Sequence, residues 1–496
     1  MCGILGIFGS DASDNYDFQG MLSTLAHRGP DNTGTVREND FILGHQRLSI
    51  VDVEGGHQPL RASETSLYGI CNGEIYNFRQ LRDRLNQNYQ FQTQADSEVL
   101  LPLYQQLGTK FAGSLDGMFS FILSEGKKLF AARDPIGIKP LYYGTANNHL
   151  FFSSEIKALV EHTDKINEFP NGYYYDSTEG FLPYYSFPQQ DIFLKDVDTI
   201  VEKIRKTLTN SVRKRLMSDV PVGVFLSGGL DSSIIAALMK QHITHLHSFS
   251  VGLPGSPDLK AARLVAEHLG TIHHEYVYTE EEMLEVLPDV IYYLESFDSS
   301  LLRSAIPCYF VSRLASQHVK VILSGEGADE LFAGYSYFGD FDDAHTLHQE
   351  SIRIIKGLHN INLQRVDRMT MAHSLEGRVP FLDTDFVELC LSIDPSLKLH
   401  QTFGIEKWVL RKAFEDLLPQ DVAWRTKMEF AQGCASSTVL EDHANANISD
   451  REVETAKAQG LPAQSKEELL YYSHFQKHFS HPDAANLIGK WEGNLH

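Results

Sequence analysis

The chain has 496 residues, a length that predicts about two to four domains. Hydrophobic residues make up 42% and charged residues 22%, a composition typical of a soluble globular protein. It contains 43 Lys and Arg residues against 65 Asp and Glu residues, and this formal net charge of −22 argues against nucleic acid or an anionic membrane as a partner. Five cysteines without paired spacing do not form the framework of a disulfide-rich protein, so a reducing compartment is expected.

The first residues, MCGILGIFGSDASD, contain no basic segment before a short apolar run, so no secretory signal peptide is predicted. No stretch reaches the roughly 18 consecutive apolar residues that a membrane span needs. We therefore expect a cytoplasmic protein without a membrane partner.

Residues 2–190 contain short apolar and aromatic runs separated by Gly, Asn and Asp, a pattern typical of short strands joined by turns. These runs lie at 3–9, 39–53, 66–77, 117–134 and 172–187. Apolar residues with helical spacing interrupt them at 18–29 and 96–108. This part of the chain is predicted to be a mixed α+β domain.

The pattern changes near residue 190. The segment at 191–216 has helical periodicity, and after it short β-type runs alternate with amphipathic helices as far as VKVILSGEG at 319–327. Such alternation predicts a parallel sheet with helices on both faces. A second domain of α/β type is therefore expected over 200–496, with the junction at 188–200.

Cys2 directly follows the initiator Met, and a small residue at this position allows the Met to be removed. Cys2 would then carry both a thiol and a free α-amine. The amine titrates at about 7.7–8.0, so near neutral pH it can accept the thiol proton. Taken alone, a Cys at position two is most simply a chance occurrence.

The surrounding segments make Cys2 more informative. They follow one another in the order MCGILGIFG, AHRGPD at 26–31, HQRLSIVD at 45–52, NGEIYN at 72–77, DSEV at 96–99 and ARDPIGIKPLYY at 132–143. In this the chain resembles the class II glutamine amidotransferase domain, an N-terminal-nucleophile hydrolase, over about its first 190 residues. The resemblance implies an αββα sandwich.

The same resemblance implies a glutaminase site whose residues each take one part of the substrate. Cys2 would attack the carboxamide, and Asn72 and Gly73 would form the oxyanion hole. Arg47 would bind the α-carboxylate of glutamine, and Glu74 and Asp96 would bind its α-ammonium. The pocket would be lined by the backbone of Leu48, Ser49, Ile50 and Val51. Simpler explanations stay open for two of them. Arg47 also fits a surface ion pair, and Asp96 also fits the N-cap of the helix that begins at DSEV.

VFLSGGLDSS at 224–233 is the sharpest motif of the second half. A hydrophobic strand ends in a Gly-rich turn, and a helix is predicted to start at Ser232, which places backbone N–H groups where phosphates can bind. The string lacks GxxxxGK[ST], so it is not a P-loop. It resembles the pyrophosphate loop of ATP pyrophosphatases, which cleave ATP between the α and β phosphates.

ILSGEGADELFAGY at 322–335 is a second marker, and its Asp329 together with Asp231 could hold Mg²⁺ against the pyrophosphate oxygens. EGRVPFLD at 376–383 and WRTKMEF at 424–430 complete the set. Taken together, these segments resemble the asparagine synthetase family, and the resemblance covers nearly the whole chain.

That family implies ATP as a substrate and a role for each matched residue. Leu226 and Val251 would contact adenine, and the phosphates would be held by Ser227, Gly228, Gly229, Asp231 and Ser232. Ser324 and Gly325 would contact the nucleotide, and Glu326 would be needed for the β-aspartyl-adenylate and for the attack of ammonia on it. Lys427 would stabilise charge on the transferring phosphate, and Asp383 would orient this region. An isolated Lys427 is otherwise most simply a solvated surface residue.

The acceptor pocket departs from the family pattern. SFDSSLLRSA at 296–305 replaces a sequence close to SFDVTTIRAS. Arg303 is retained as a partner for the aspartate α-carboxylate, while Ser300 and Leu301 stand where the family has two threonines. The pair His273–His274 and the segment at 474–481 match no zinc ligand spacing, so no metal site is predicted there.

The resulting prediction is glutamine-dependent asparagine synthesis from aspartate and ATP, with AMP and pyrophosphate as products and ammonia passed between two sites. The resemblance also allows a homodimer. One alternative is the same chemistry on a different carboxylic acid, which the change at Ser300 and Leu301 motivates. A second alternative, an inactive scaffold, is disfavoured because Cys2, Asn72 and Asp231 are all retained.

Overall fold

A computed structural model describes residues 1–10, 16–188, 193–425 and 437–490. Within these ranges, no helix combines the length and the hydrophobicity that crossing a membrane requires. The predicted junction at 188–200 lies partly outside the described residues, at 189–192.

The N-terminal part contains two antiparallel sheets of six strands each. The strands are β1 Cys2–Phe8, β2 Asn32–Arg37, β3 Phe41–Arg47, β4 Leu60–Arg61, β5 Tyr68–Ile75, β6 Gly117–Glu125, β7 Lys128–Arg133, β8 Tyr142–Ala146, β9 His149–Ser153, β10 Lys165–Glu168, β11 Tyr173–Asp176 and β12 Gly180–Pro183. The first sheet has the order β10-β8-β9-β1-β3-β2, and the second has the order β12-β11-β7-β6-β5-β4.

The two sheets face each other across a layer of buried apolar side chains. Ile4 and Phe41 of the first sheet belong to the same cluster as Ile70 and Ile122 of the second. The outer faces are covered by helices α1 Phe18–Ser23, α2 Phe78–Leu85 and α3 Leu100–Leu107. This layering confirms the predicted αββα sandwich, because each sheet buries one face against its partner sheet and the other against helices.

The C-terminal part contains a five-stranded parallel sheet with the order β15-β14-β13-β16-β17. Its strands are β13 Val222–Phe225, β14 His247–Gly252, β15 Ile272–Val277, β16 Val321–Leu323 and β17 Glu376–Arg378. Its helices are α4 Val197–Lys214, α5 Leu230–Lys240, α6 Pro257–Leu269, α7 Glu280–Leu294, α8 Ser299–Ala315, α9 Ala328–Leu331, α10 Ala344–Gly357, α11 Asn362–Met371, α12 Thr384–Leu391, α13 His400–Phe403, α14 Trp408–Phe414, α15 Gln420–Ala423, α16 Ser437–Asn447, α17 Asp450–Ala458 and α18 Lys466–Phe475. The predicted α/β architecture is confirmed.

The order of strands brings the two Gly-rich loops together. β13 and β16 are neighbours in register, with Val224 opposite Leu323, so the loops that follow them leave the sheet side by side. Gly228 adopts a φ of 73°, and a Cβ at Gly325 would lie 2.9 Å from the Ser232 nitrogen. Both positions need glycine because the backbone must turn left-handed or approach closely.

The two parts meet across buried ion pairs. The Arg28 guanidinium lies 2.8 Å from the carboxylate of Asp367, and both side chains are buried. The N-terminal ammonium of Met1 donates to Glu376 Oε2 at 2.6 Å. Both contacts join residues more than 300 positions apart, and the contact of Met1 fixes the start of β1 against the edge strand β17 of the parallel sheet.

Candidate active sites

Cys2 is the first residue of β1 and lies opposite Arg47 at the end of β3. It is buried, and its backbone N–H donates to Asn72 Oδ1 at 3.0 Å. Burial raises the pKa of the Cys2 thiol, while the nearby N-terminal ammonium and a hydrogen bond from the Leu48 backbone act in the opposite direction. The structure retains Met1, so the α-amine near the thiol is that of Met1.

Asn72 holds a side-chain donor that no other group uses. Its Nδ2 is buried and has no hydrogen-bond partner among the described residues. A buried N–H group without a partner costs free energy, and such groups in native proteins usually await a ligand, a water molecule or a reacting atom. Because Asn72 Oδ1 already accepts from Cys2, the free N–H group is fixed beside the nucleophile.

Gly73 follows Asn72 in β5, with a φ of 145°. A Cβ at this position would lie 2.0 Å from the carbonyl oxygen of Met118 in β6. Only glycine fits there, because any other residue would be strained and would collide with the neighbouring strand.

Arg47 is buried and shapes the loop that follows β3. Its guanidinium donates to the carbonyl oxygens of Val51, Asp52 and Val53 at 3.2, 2.6 and 3.0 Å. It is therefore not part of a surface ion pair. The same loop begins with Leu48, Ser49 and Ile50, which are buried, and continues to the half-buried Val51.

Glu74 and Asp96 are two buried carboxyl groups close to each other. Burial, with the charges of Glu376 and Asp96, raises the pKa of Glu74 well above its usual range, although Arg378 lies 3.5 Å away. Burial raises the pKa of Asp96 to about 6 despite a 2.6 Å hydrogen bond from the Ile75 N–H. Asp96 is not the N-cap of its helical turn, which is Ala95. A cation brought to this pair would favour the ionised carboxylates.

The second site is a cavity at the carboxyl ends of the parallel strands. The residues predicted to contact the nucleotide, with the two predicted magnesium ligands and Glu326, all line it: Leu226, Ser227, Gly228, Gly229, Asp231, Ser232, Val251, Ser324, Gly325, Glu326 and Asp329. Ligands of open α/β sheets bind at this edge. Helix α5 begins at Leu230, two residues before the predicted start, so its first turn faces the cavity.

Lys407 is a site residue that the motifs did not identify. Its buried Nζ donates to Asp231 Oδ2 at 2.5 Å and to Asp329 Oδ1 at 2.6 Å. Burial by itself would lower the pKa of Lys407, but the two carboxylates raise it, so the lysine stays charged. The segment GIEKWVL has no glycine-rich or acidic pattern that would have indicated this position.

The carboxylates of Asp231 and Asp329 converge on one point, which the Lys407 ammonium occupies. Two carboxylate oxygens that share one cation are suitable donors for Mg²⁺, which prefers oxygen ligands and phosphate. The residues present therefore fit a magnesium ion that arrives with a nucleotide.

Glu326 forms an ion pair with Arg365, a second residue that the motifs did not identify. Arg365 is buried, lines the cavity and donates from Nη1 to Ser304 Oγ at 2.9 Å. Helices α8 and α11 thereby fix the carboxylate of Glu326 at the wall of the cavity.

The predicted acceptor residues lie elsewhere. Arg303 on α8 is half-buried and forms an ion pair with Glu467 of α18, with Glu441 at 3.9 Å. Ser300 is exposed, and neither it nor Arg303 lines the nucleotide cavity.

Lys427 lies outside the described residues. Asp383 is buried and pairs at 2.6 Å with Arg215 and with Lys214, both near the end of α4. It therefore anchors the segment after β17 to that helix.

Comparisons with known proteins cover almost the full chain. Residues 1–206 match the family model described as a glutamine amidotransferase domain, and residues 203–343 and 339–494 match the model described as asparagine synthase. The chain is 42% identical to a probable glutamine-hydrolysing asparagine synthetase of Schizosaccharomyces pombe, over 99% of this chain and 96% of that protein. It is also 42% identical to the glutamine-hydrolysing asparagine synthetase B of Escherichia coli, over 98% of this chain and 93% of that protein.

Proposed function

This chain belongs to the family of glutamine-hydrolysing asparagine synthetases, and we propose that its two sites act in sequence on glutamine, ATP and aspartate. Glutamine is hydrolysed to glutamate and ammonia at the N-terminal site. At the C-terminal site ATP activates the aspartate side chain as an adenylate with release of pyrophosphate, and ammonia displaces AMP to give asparagine. The proposal is carried by the cavity that gathers both Gly-rich loops around the paired carboxylates of Asp231 and Asp329.

In the glutaminase half, we assign the Cys2 thiolate as the nucleophile that attacks the carboxamide carbon. The free Nδ2–H of Asn72 and the backbone N–H of Gly73 stabilise the oxyanion that develops. After removal of Met1, the Cys2 α-amine takes the thiol proton and returns it to the departing ammonia. The assignment of Cys2 as nucleophile with Asn72 in the oxyanion hole is supported by the Asn72 amide, whose Oδ1 already accepts a hydrogen bond from Cys2.

Glutamine is held at its α-carbon end by groups of opposite charge. The Arg47 guanidinium binds the α-carboxylate, and Glu74 with Asp96 binds the α-ammonium. The pocket wall is the backbone of Leu48, Ser49, Ile50 and Val51. The raised pKa values of the two acids support this assignment, because a substrate ammonium removes the cost of ionising them.

In the synthetase half, Leu226 and Val251 contact adenine. The phosphates are held by Ser227, Gly228, Gly229, Asp231 and Ser232, and the nucleotide is also contacted by Ser324 and Gly325. Asp231 and Asp329 would hold Mg²⁺, which would neutralise charge on the pyrophosphate. Lys407 supplies a point charge beside the same two carboxylates, and its position supports a role on the transferring phosphate. Lys427 is retained as a second candidate for this role.

Glu326 acts in the last step, the attack of ammonia on the acyl carbon. Fixed by Arg365, its carboxylate faces the cavity where the adenylate would form, and it accepts a proton from the attacking ammonia. We assign Asp383 a supporting role: its ion pair with Arg215 holds the segment that borders the site.

The most detailed part of the proposal is the assignment of residues to the aspartate pocket. We place the acceptor α-carboxylate at Arg303, with Ser300 nearby, which requires aspartate to replace Glu467 as the partner of Arg303. A division into domains at 2–190 and 200–496, a cytoplasmic location and a homodimer remain predictions alongside it.

The test uses the purified full-length protein with ATP, Mg²⁺ and glutamine, and measures pyrophosphate and asparagine together. We expect equal amounts of both products, and neither without aspartate. Replacing aspartate by other carboxylic acids tests the alternative acceptor. Pyrophosphate release that is independent of aspartate would refute asparagine synthesis while leaving ATP cleavage in place.

A further inference from the structure

Three histidines cluster near the amino ends of the parallel strands, whereas the nucleotide cavity lies at the carboxyl ends. His247 is the first residue of β14, His274 lies in β15, and His318 follows helix α8. The opposite end of β14 carries Val251, which lines the cavity. Four residues of extended strand separate the two ends by about 13 Å.

The imidazole nitrogens of the cluster converge. One ligand nitrogen from each of His247, His274 and His318 lies within 4.8 Å of the others. His247 Nδ1 and His274 Nε2 are 2.9 Å apart, and their rings are nearly coplanar, with an interplanar angle of 4°. The ring of His318 lies over that of His274, with centroids 4.0 Å apart, and its side chain is exposed.

The electrostatic environment of His247 and His274 favours neutral rings. Burial and the neighbouring His318, His247 and His273 together lower the pKa of His274 to about 4. Burial and His318 also lower the pKa of His247. Neutral imidazoles offer lone pairs to a metal ion, whereas protonated ones do not. His273, which directly precedes His274 in β15, forms hydrogen bonds with Ser248 and Glu275 instead.

We propose that His247, His274 and His318 form a binding site for a divalent transition-metal ion such as Zn²⁺, with a fourth position open to water. Imidazole suits Zn²⁺, Ni²⁺, Cu²⁺ and Co²⁺, whereas Mg²⁺ prefers oxygen ligands. The site has no signature in the sequence, because its ligands come from three elements up to 71 positions apart. This explains why the adjacent pair His273–His274 predicts nothing by itself.

Only small adjustments are needed to seat the ion. Zn–N bonds of about 2.0–2.1 Å in a tetrahedral site place two nitrogens about 3.3 Å apart, so the contact between His247 and His274 must widen by about 0.4 Å. The proton shared in that contact moves to the other nitrogen of its ring. The exposed ring of His318 must turn so that a nitrogen points to the ion, because it now lies over His274.

An ion at this site would cross-link β14, β15 and the end of α8. It would also fix Phe249, a residue that lines the nucleotide cavity and whose ring lies on that of His274, with centroids 5.0 Å apart. Metal binding is therefore expected to raise the unfolding temperature, since a ligand that binds only the folded state stabilises it.

Cobalt is the most informative probe, because Co²⁺ bound by imidazoles gives visible d–d absorption, while a thiolate ligand such as Cys2 adds a near-ultraviolet charge-transfer band. Chelator-treated full-length protein is titrated with CoCl₂ and, by calorimetry, with ZnCl₂. The variants are His274→Ala and, as the matched control one residue away, His273→Ala. Circular dichroism checks that each variant is folded.

We expect one ion per chain without a thiolate band, an affinity at least about tenfold weaker in His274→Ala, and an unchanged affinity in His273→Ala. The metal-dependent rise in unfolding temperature should disappear in His274→Ala. Absence of binding, or equal binding by wild type and His274→Ala, would overturn the proposal. Equal loss in both variants would also overturn it.

Discussion

Replacing Asn72 tests the oxyanion assignment, because its two side-chain atoms have separate tasks. Oδ1 accepts from the Cys2 N–H at 3.0 Å, while Nδ2 has no partner among the described residues. Asn72→Asp keeps an oxygen for Cys2 but removes the donor, whereas Asn72→Ala removes both. Loss of one oxyanion donor costs roughly 10²–10³ in kcat, or about 2.7–4 kcal/mol.

The assay measures glutamate formation from glutamine, alongside ammonia-dependent asparagine synthesis. Both variants should lose glutaminase kcat by at least about 100-fold while ammonia-dependent synthesis continues. Asn72→Ala should also lose stability, by about 1–3 kcal/mol, because the buried Cys2 N–H loses its acceptor, and Asn72→Asp should lose stability because it places a carboxyl group at a fully buried position.

Asn77→Ala is the matched control. Asn77 is an asparagine of the same segment whose two side-chain atoms form hydrogen bonds with Asp116 and Ser114, and it lies outside the site. Its glutaminase kcat should stay near that of wild type. A wild-type kcat in Asn72→Asp would refute the reasoning, since the oxyanion would then not depend on Nδ2.

Four further outcomes are expected. Cys2→Ala should abolish synthesis from glutamine and retain synthesis from ammonium; loss of both activities would contradict separate sites. Lys407→Met should lower aspartate-dependent pyrophosphate release by at least about 100-fold, whereas the exposed control Lys412→Met should not. Glu326→Gln should stop asparagine formation but spare glutamate release, and both products are measured in one reaction. The KM for glutamine should rise as pH falls through about 6, because protonated Asp96 no longer attracts the substrate ammonium, and a flat pH profile would exclude this role.

Motifs that are continuous in the chain predicted most of the fold and the nucleotide loops. SGGLDSS and SGEGADE each contain a strand end, a turn and a helix start, so local physics fixes their shape, and the parallel pairing of β13 with β16 places them together. Boundaries were less accurate. The helix predicted at 18–29 ends at Ser23 and is followed by a 3₁₀ turn at Ala26–Arg28, and the strand predicted to reach residue 53 ends at Arg47.

Residues whose partners are distant in the chain could not be predicted in the same way. Lys407 meets Asp231 across 176 positions, and no local pattern encodes that contact. The pairing of Arg303 with Glu467 likewise depends on how α18 docks on α8. Sequence pattern constrains the backbone near a residue, whereas the partner of a long charged side chain is set by the tertiary packing.

The buried position of Met1 has a consequence for the order of events during biosynthesis. The residue is only 1% exposed, and its ammonium is held by Glu376 at the junction of the two halves. A processing enzyme cannot reach a residue in that position. If Cys2 is to become the first residue, cleavage has to occur while the amino terminus is still accessible, before the parallel-sheet half closes over it. A chain that folds first would keep its methionine, and with it an amine on the wrong residue.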